Sequence, residues 1–579
     1  MKKLLCLFFS VLFSFMVFAQ VGVNPEDEFY SDALSWYLKG YVEKLPQLKP
    51  YPQNIIQEIL DTVKECEDEK VSERAEYYIH KIYDRKVHGG FDFNGDMRLK
   101  ASENALPQVD KEKTIDTKLL LTSEIFCSGD WSFNEKLGAS WELGVLGYNN
   151  DVLLSQVHPK YIYDSNQQKI DVLSWNAGIV DFLLDTNANV TYGTKNLYGN
   201  FGFNKTGYGL YPDTDLILNP TSYQAFNSSI NYVGKYFEYT HYMGLLGSRS
   251  TVNQNSYLFN KLIAFHSIKF PLLNRKISIS YFEATVGSTP CMAAYVMPVP
   301  FVIMGNISAF KENILAGLNF EYKPLNCIAL TADFLFDDLK PKEFIKFNWN
   351  EAAIRSAIRF GFAYSPFDSI CKLITFDYTL VTPYTYTSYD SSNSEYNGYD
   401  FTNCGIGIGS DLPPNSDRIL VKIQFHPYKR LNVSTFTSFV RHSNAYLSLY
   451  NMDSGEYQGG DDNPNIPENA FSDGGINMTT QGIPLAEEYT NFLTQITTMY
   501  TIQAGVSLDY QFYKTRTGGL TCGLGYKFEY IRQDGLDTDI FSSAITTAEQ
   551  GYSQAIYWYT NCLKNSVNNY LSLTFTYVF

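Results

Sequence analysis

Nowhere in this chain do about 20 apolar residues follow one another, which excludes an ordinary membrane-spanning helix. Basic charge is scarce: 45 Lys and Arg stand against 61 Asp and Glu, for a net charge of -16. Such a chain has little with which to neutralise a phosphate backbone, so nucleic acid is excluded as a partner. None of the nine cysteines forms a C-x-x-C pair, and no Cys/His group has zinc spacing. No metal site and no cofactor is therefore expected. Disulfides, buried single cysteines and lipid-facing ones stay equally open. The chain lacks G-x-S-x-G, H-E-x-x-H and a phosphate loop, and it reads as non-enzymatic. Of seven histidines, His241, His266, His426 and His442 fall in or beside candidate strands. A carboxylate site at Asp333, Asp337 and Asp338 competes with the plainer reading as lumen and loop-edge groups.

What the chain does have is aromatic rings. Phe, Tyr and Trp make up 16% of it, with 45 tyrosines. Amphipathic rings in that number suit the girdles that mark the two interfaces of a membrane barrel. At the N-terminus, Lys2 and Lys3 precede the apolar run Leu4 to Phe18, and Ala19 ends a small-residue cleavage site. Residues 1–19 are thus expected to be a secretory signal peptide. At the C-terminus, Leu571, Leu573, Phe575, Tyr577 and Phe579 alternate with Ser572, Thr574, Thr576 and Val578. Period two puts the first set toward lipid and the second toward a lumen. The final aromatic, Phe579, resembles the signal by which barrel-assembly machinery recognises outer-membrane proteins.

Residues 20–90 read as a periplasmic helical bundle of about three helices. Ile55, Ile56, Ile59, Leu60 and Val63 form one apolar stripe, and Ala75, Tyr78, Ile79, Ile82 and Tyr83 another. Glu26 to Glu43 supplies a first helix. Alone the bundle would be marginally stable, so it is expected to pack on the periplasmic mouth. From 91 to 579 the period becomes two. Short turns near 129–133, 184–189, 270–275, 323–326, 365–370, 427–430 and 513–518 alternate with long connections. The long ones fall near 103–114, 147–169, 203–222, 286–312, 337–351, 385–417, 442–500 and 532–562. The fold class expected is all-β with a small α part: a transmembrane antiparallel β-barrel of about 18 strands behind an N-terminal helical bundle. Short turns face the periplasm and long loops the exterior in such barrels. Asp333, Asp377, Asp509, Lys527 and Glu529 fall on the face that opposes lipid, which a hydrated lumen accommodates and a two-layer sandwich core does not.

Rings beside polar groups can grip sugars, because a ring stacks on the apolar face of a pyranose while polar groups bond its hydroxyls. Tyr384, Tyr386, Tyr389, Asp390 and Tyr396 show this pairing, with Arg418 on the strand that follows. The competing reading is an aromatic girdle running into a surface loop. Gln458 to Gly475, rich in Gly, Asp and Asn, reads as a solvated loop rather than a calcium loop, since it lacks EF-hand spacing.

The stretch Asp377-Tyr378-Thr379, Pro383-Tyr384-Thr385-Tyr386, Asp411 to Arg418 and His426-Pro427 to Leu431 resembles the Wzi capsule-assembly family. Gly207 to Leu218, His266 with Glu283 and Pro298 to Pro300, and Tyr30, Leu38, Gly40 and Pro50 are similar to further parts of its pattern. The sequence departs from the family at Cys404 to Gly409, where Gly-x-x-Leu-Gly is usual. The resemblance implies an 18-strand barrel with a periplasmic bundle. It also implies a role in binding or assembling surface or capsular polysaccharide at the cell exterior. Two other functions fit the barrel: a cation-preferring diffusion porin, through rings of lumen carboxylates, and an adhesin that uses its long loops. The expected partners are outer-membrane lipid, the barrel-assembly machinery and a surface polysaccharide, and the expected location is the bacterial outer membrane.

Overall fold

The computed structural model describes residues 25, 27–83, 87–104, 113–134, 136–150, 153–154, 174–177, 180–212, 215–222, 224–249, 257–288, 295–296, 312–338, 346, 355–367, 370–382, 385–386, 399–403, 406–428, 430–442, 450–451, 456–457, 498–515, 518–532 and 564–579. The stretch 1–19, and the loop 458–475, lie outside them.

Among the described residues, three helices precede a closed antiparallel barrel of 18 strands, from Val87–Asn104 to Lys564–Val578. The first and last strands close the ring in register, with Phe91 opposite Tyr577 and Asp96 opposite Ser572. Phe579 extends the seam: its N–H donates to Gly89 O and its own carbonyl accepts from Gly89 N. Neighbouring strands are joined alternately by short turns and long connections, so the short turns gather at one end, the periplasmic one in barrels of this kind. The short strand Ser174–Ala177 adds a flap to Val180–Gly193. The thiols of Cys66, Cys127, Cys327, Cys371 and Cys522 are free.

Alternation sorts side chains as the period predicts. Phe91, Ile125, Ile230, Phe360, Leu508 and Leu573 are among the exposed apolar residues of the outer wall. An exposed apolar belt this extensive has lipid as its solvent. Two turn assignments need correction. The expected turn near 184–189 lies inside the strand Val180–Gly193, and the chain turns at 194–196 instead. Asp185, Asn187 and Asn189 are turn-forming residues, but here they pair across from Gly144, Glu142 and Ser140 on the inner face, where a polar lumen tolerates them. The hairpin Ala225–Val233 and Glu238–Arg249 was not expected as two strands. Its outer face mixes Ser228 with Phe226 and Ile230, which dilutes the alternation.

The first helix, Glu28–Lys39, starts at Asp27, whose carboxylate accepts from Phe29 N at 2.8 Å, and ends at Gly40 in the left-handed region. Every residue from Phe29 to Leu38 is buried. An ordinary surface helix buries one stripe; this one lies within the barrel mouth. Its polar side chains are matched, as buried polar groups must be. Ser35 bonds Ser365 at 2.7 Å, and Ser31 accepts from Gln424. Lys323 Nζ and Cys327 N donate to the carbonyls of Tyr37 and Leu38. Asp32 meets Arg74 and Lys372, each at 2.9 Å, and Tyr78 OH at 2.6 Å. Burial alone would raise the Asp32 carboxyl, but the two cations outweigh it and hold the group well below the usual carboxylate range. The helices Gln53–Lys64 and Glu69–Tyr83 complete the cluster, and Ile55, Ile56, Ile59, Leu60 and Val63 all point into it.

Candidate functional site

The lumen is where the chain concentrates its unusual chemistry. After the first helix the backbone enters the barrel, and Leu48–Lys49 pairs with Gly207–Tyr208. That second strand belongs to the connection after Leu197–Asn204, which folds inward instead of outward. Lys49 is fully buried, and its ammonium donates to Gly209 O at 2.6 Å and Tyr211 O at 3.1 Å. Gly209 has φ +96°, and a Cβ there would lie 2.5 Å from Asp215 Oδ2, so the residue must be glycine. Asp215 accepts from the N–H groups of Ile217 (2.7 Å) and Leu218 (3.3 Å). Burial, with Asp333 adding its like charge, pushes the Asp215 carboxyl up to about 7.

Above this lies a second inserted layer. Tyr386 OH donates to Leu216 O at 2.7 Å, and the Tyr386 ring stacks on Phe401 at 5.7 Å. Asn219 N donates to Ile408 O. Lys261, on the wall, holds Asp400 at 2.8 Å and Thr402 at 3.2 Å. Leu216, Ile217, Leu218, Phe401, Ile408 and Leu412 pack against inward wall residues such as Phe265 and Phe282 in one apolar cluster. From helix to cap, segments of the chain itself fill this sector of the lumen.

An ionic row crosses the wall beneath the cap. Arg359 is 2% exposed. Its Nε donates to Asp377 Oδ2 at 2.5 Å, its Nη1 lies 3.6 Å from Asp333, and its guanidinium sits 4.4 Å over the Tyr211 ring. Asn319 donates to Asp333, and Thr379 donates to Asp377. Arg418 grips Asp411 with both terminal nitrogens, at 2.5 and 3.0 Å, and lies 4.0 Å from Asp377. The wall is thus tied electrostatically to both inserted segments.

Of the residues singled out in the sequence, Asp333, Asp377 and Arg418 meet in this row. Tyr386 is 1% exposed and serves as a bolt of the cap, offering no free ring face. Tyr384, Tyr389, Asp390 and Tyr396 lie outside the described residues. The remaining three lie farther round the ring, on the strands Met499–Thr515 and Gly518–Arg532. Glu529 accepts from Gln503 (2.6 Å), Asn568 (2.9 Å) and Tyr570 (3.1 Å), and Lys527 lies 4.0 Å over the Tyr570 ring. Asp509, like Asn94, Ser507 and Thr574, is only half-buried on the inner face. Asp337 accepts from Tyr386 N at 2.5 Å, which makes it a cap anchor as well. The sequence reading missed Arg359, Lys49, Asp215 and Lys261. Arg359 was legible, since it alternates with Ile358 and Phe360; the other three act through contacts that no local period announces.

The histidines divide. His241 and His266 face each other across adjacent strands on the outer wall, and His266 Nε2 lies 3.1 Å from Glu283. His442 bonds Ser416 at 2.6 Å. His426 lies 3.6 Å from Asp32 and 3.8 Å from Glu28, the one grouping of potential metal ligands among the described residues. Lys372, 2.9 Å from Asp32, and Arg74, 2.9 Å from Glu28, already neutralise both carboxylates, so this cluster latches the helix and is ill suited to a cation.

No known protein family matches the sequence, and no curated protein is similar to it. Among solved structures, the chain is similar to Wzi, an outer-membrane protein involved in group 1 capsule assembly in Escherichia coli and described as a carbohydrate-binding β-barrel. Identity is 10% and the TM-score 0.49, over 96% of this chain and 99% of that one. It is also similar to OccAB4 of Acinetobacter baumannii (9% identity, TM-score 0.36, 86% and 100% covered) and to OpdL of Pseudomonas aeruginosa (6%, 0.39, 85% and 98%). Likenesses this distant assign neither family nor function. What the geometry establishes is a closed 18-strand barrel whose lumen is occupied, along one sector, by its own chain.

Proposed function

We propose that this barrel is a non-enzymatic outer-membrane protein that binds surface polysaccharide, or helps assemble it, at the cell exterior. The observation that carries the reading is the plug. The buried helix, residues 207–212 and 215–218, and a cap made of Tyr386 with residues 399–403 and 406–412 occupy lumen that a diffusion channel would keep open. Such a plug spends many buried polar contacts, Lys49, Arg359 and Lys261 among them, on keeping the lumen filled. The long outward connections are then the surfaces available to a ligand. Tyr384, Tyr389, Asp390 and Tyr396 are the proposed sugar contacts, with Tyr386 and Arg418 holding their base. The motif resemblance to the capsule-assembly family points the same way.

A second reading has its own observation. The half-buried inner residues Asn94, Ser507, Asp509 and Thr574 form a polar sector that would suit a narrow cation-preferring path. Planar-bilayer conductance of the refolded full chain separates the two. An electrically silent, folded barrel that retains polysaccharide supports the first reading. Stable steps with cation preference would replace it with the porin. Substituting Tyr384 and Tyr389 with Ala should lower polysaccharide retention while leaving barrel assembly intact; unchanged retention would remove those residues from the site.

A further inference from the structure

The outer wall carries a charged and aromatic row where its apolar belt ends toward the long loops. Registry places Asp417 beside Arg441, Arg441 beside Tyr500, and Tyr500 beside Arg532, across four adjacent strands. All four sit on the lipid side. One row lower, on the same face, are Ile419, Phe439 and Ile502, and the two isoleucines are 41% and 43% exposed. The polar row therefore begins where the hydrocarbon-facing surface stops, at headgroup level.

Its internal contacts are built. Asp417 is buried, and Arg441 bonds it through both Nε (2.8 Å) and Nη2, yet the Arg441 side chain remains 42% exposed. Tyr378 OH donates to the same carboxylate at 3.2 Å. The carboxylate fixes the direction of the guanidinium and leaves part of it facing out. Tyr500 stacks on Phe439 at 6.1 Å and 19°. Arg532 lies 5.7 Å from the Tyr500 ring, is exposed, and has no carboxylate partner among the described residues. In a chain with a net charge of -16, two outward arginines on this rim stand out against the prevailing charge. Across two strand spacings they are about 10 Å apart, so each can take a separate anionic group.

We propose that Arg441 and Arg532, framed by Tyr378 and Tyr500, bind the phosphates of a phosphorylated glycolipid headgroup in the surrounding leaflet. Arginine suits a phosphate because its planar fork bonds the oxygens in pairs, and it stacks on aromatic rings as well. Aromatic residues anchor the same depth, since their rings favour the interface between hydrocarbon and water. Attraction of basic side chains to anionic headgroups adds to this over a Debye length.

The test uses the full chain refolded into phosphatidylcholine vesicles that contain lipopolysaccharide, its dephosphorylated form, or neither. Mass spectrometry of the extracted protein counts glycolipid retained per barrel. Retention of the phosphorylated form is expected to fall roughly tenfold for Arg532→Gln and further when Arg441→Gln is added, with Arg532→Lys keeping part of it. Equal retention of the dephosphorylated form, or no loss in Arg532→Gln, would overturn the proposal. Displacement of the glycolipid by millimolar inorganic phosphate would make this a site for free anions and overturn the lipid assignment. Should the double variant fail to fold because Asp417 is left unpaired, Arg532→Gln decides alone, since that side chain supports no other charge.

Discussion

Replacing Arg359 with Met should unlatch the lumen plug while the barrel stays closed. The side chain is 2% exposed and serves Asp377 at 2.5 Å, Asp333 at 3.6 Å and the Tyr211 ring at 4.4 Å. Methionine fills much of the volume but removes the cation that bridges two buried carboxylates. Arg418 offers no full substitute, being 4.0 Å from Asp377 and committed to Asp411. Removing one partner of a buried pair typically costs about 3–5 kcal/mol. The strands are held by a continuous ladder, so the strain is expected to fall on the inserted Gly207–Leu218 segment that carries Tyr211 and Asp215. At 1.4 kcal/mol per factor of ten, its opening constant should rise roughly 10²–10³-fold. Hydrogen exchange reads this directly. The amides of Gly209 and Asn219 donate to Gln47 and Ile408, outside the segment, and both bonds break when it leaves. Their exchange should accelerate by that factor while wall amides such as Phe91 and Phe360 keep their protection. Adding Asp333→Asn should recover part of the loss, because one of the two stranded charges disappears. Unchanged exchange at Gly209 and Asn219 in a folded Arg359→Met barrel would refute the claim that this ion row holds the plug.

Tyr386→Phe removes a single hydroxyl and leaves the buried Leu216 carbonyl unpaired, at about 1–3 kcal/mol; cap amides should exchange faster without loss of barrel heat stability. The plug should also loosen as pH rises: Asp215, whose pKa is raised to about 7, contributes stability that is present below the ordinary carboxylate range and lost as pH rises through about 7, so exchange at Ile217 and Leu218, relative to the intrinsic base-catalysed rate, should quicken from about pH 4 to about pH 7 and level off above it, and Asp215→Asn should flatten the response. The helix latch should show the opposite sign. The depressed Asp32 carboxyl contributes stability above the ordinary carboxylate range, lost only as pH falls through its much lower folded value, so proteolysis of the helix Glu28–Lys39 should set in only in strong acid, and Asp32→Asn should abolish that pH dependence. Deleting Phe579 should leave in vitro refolding nearly unchanged but slow assembly in cells; equal assembly in cells would remove the C-terminal aromatic as a recognition signal.

Much of the wall could be read from the residues in order. Period two assigned Leu571, Leu573 and Phe575 to lipid and Asp333, Asp377 and Lys527 to the interior, because alternation is a property of neighbouring residues and needs no knowledge of the rest of the chain. Where alternation was diluted, as at Phe226–Tyr232, or where turn-type residues served a hydrated face, as at Asp185–Asn189, the local signal misled. The apolar stripe of Gln53–Lys64 likewise announced a helix, though not that Glu28–Lys39 would be buried on every side.

The state of the lumen was decided only by tertiary structure. Residues 205–222 and 399–412 read as polar, Gly- and Pro-containing connections, which is how a surface loop and an inserted plug both look. What distinguishes them is contact over long separations: Lys49 with Gly209, Tyr386 with Leu216, Lys261 with Asp400. These bonds have no period and no fixed spacing. They exist because a ring of 18 strands encloses more space than its own side chains fill, and the chain closes that space with whichever segments can satisfy their buried polar groups there.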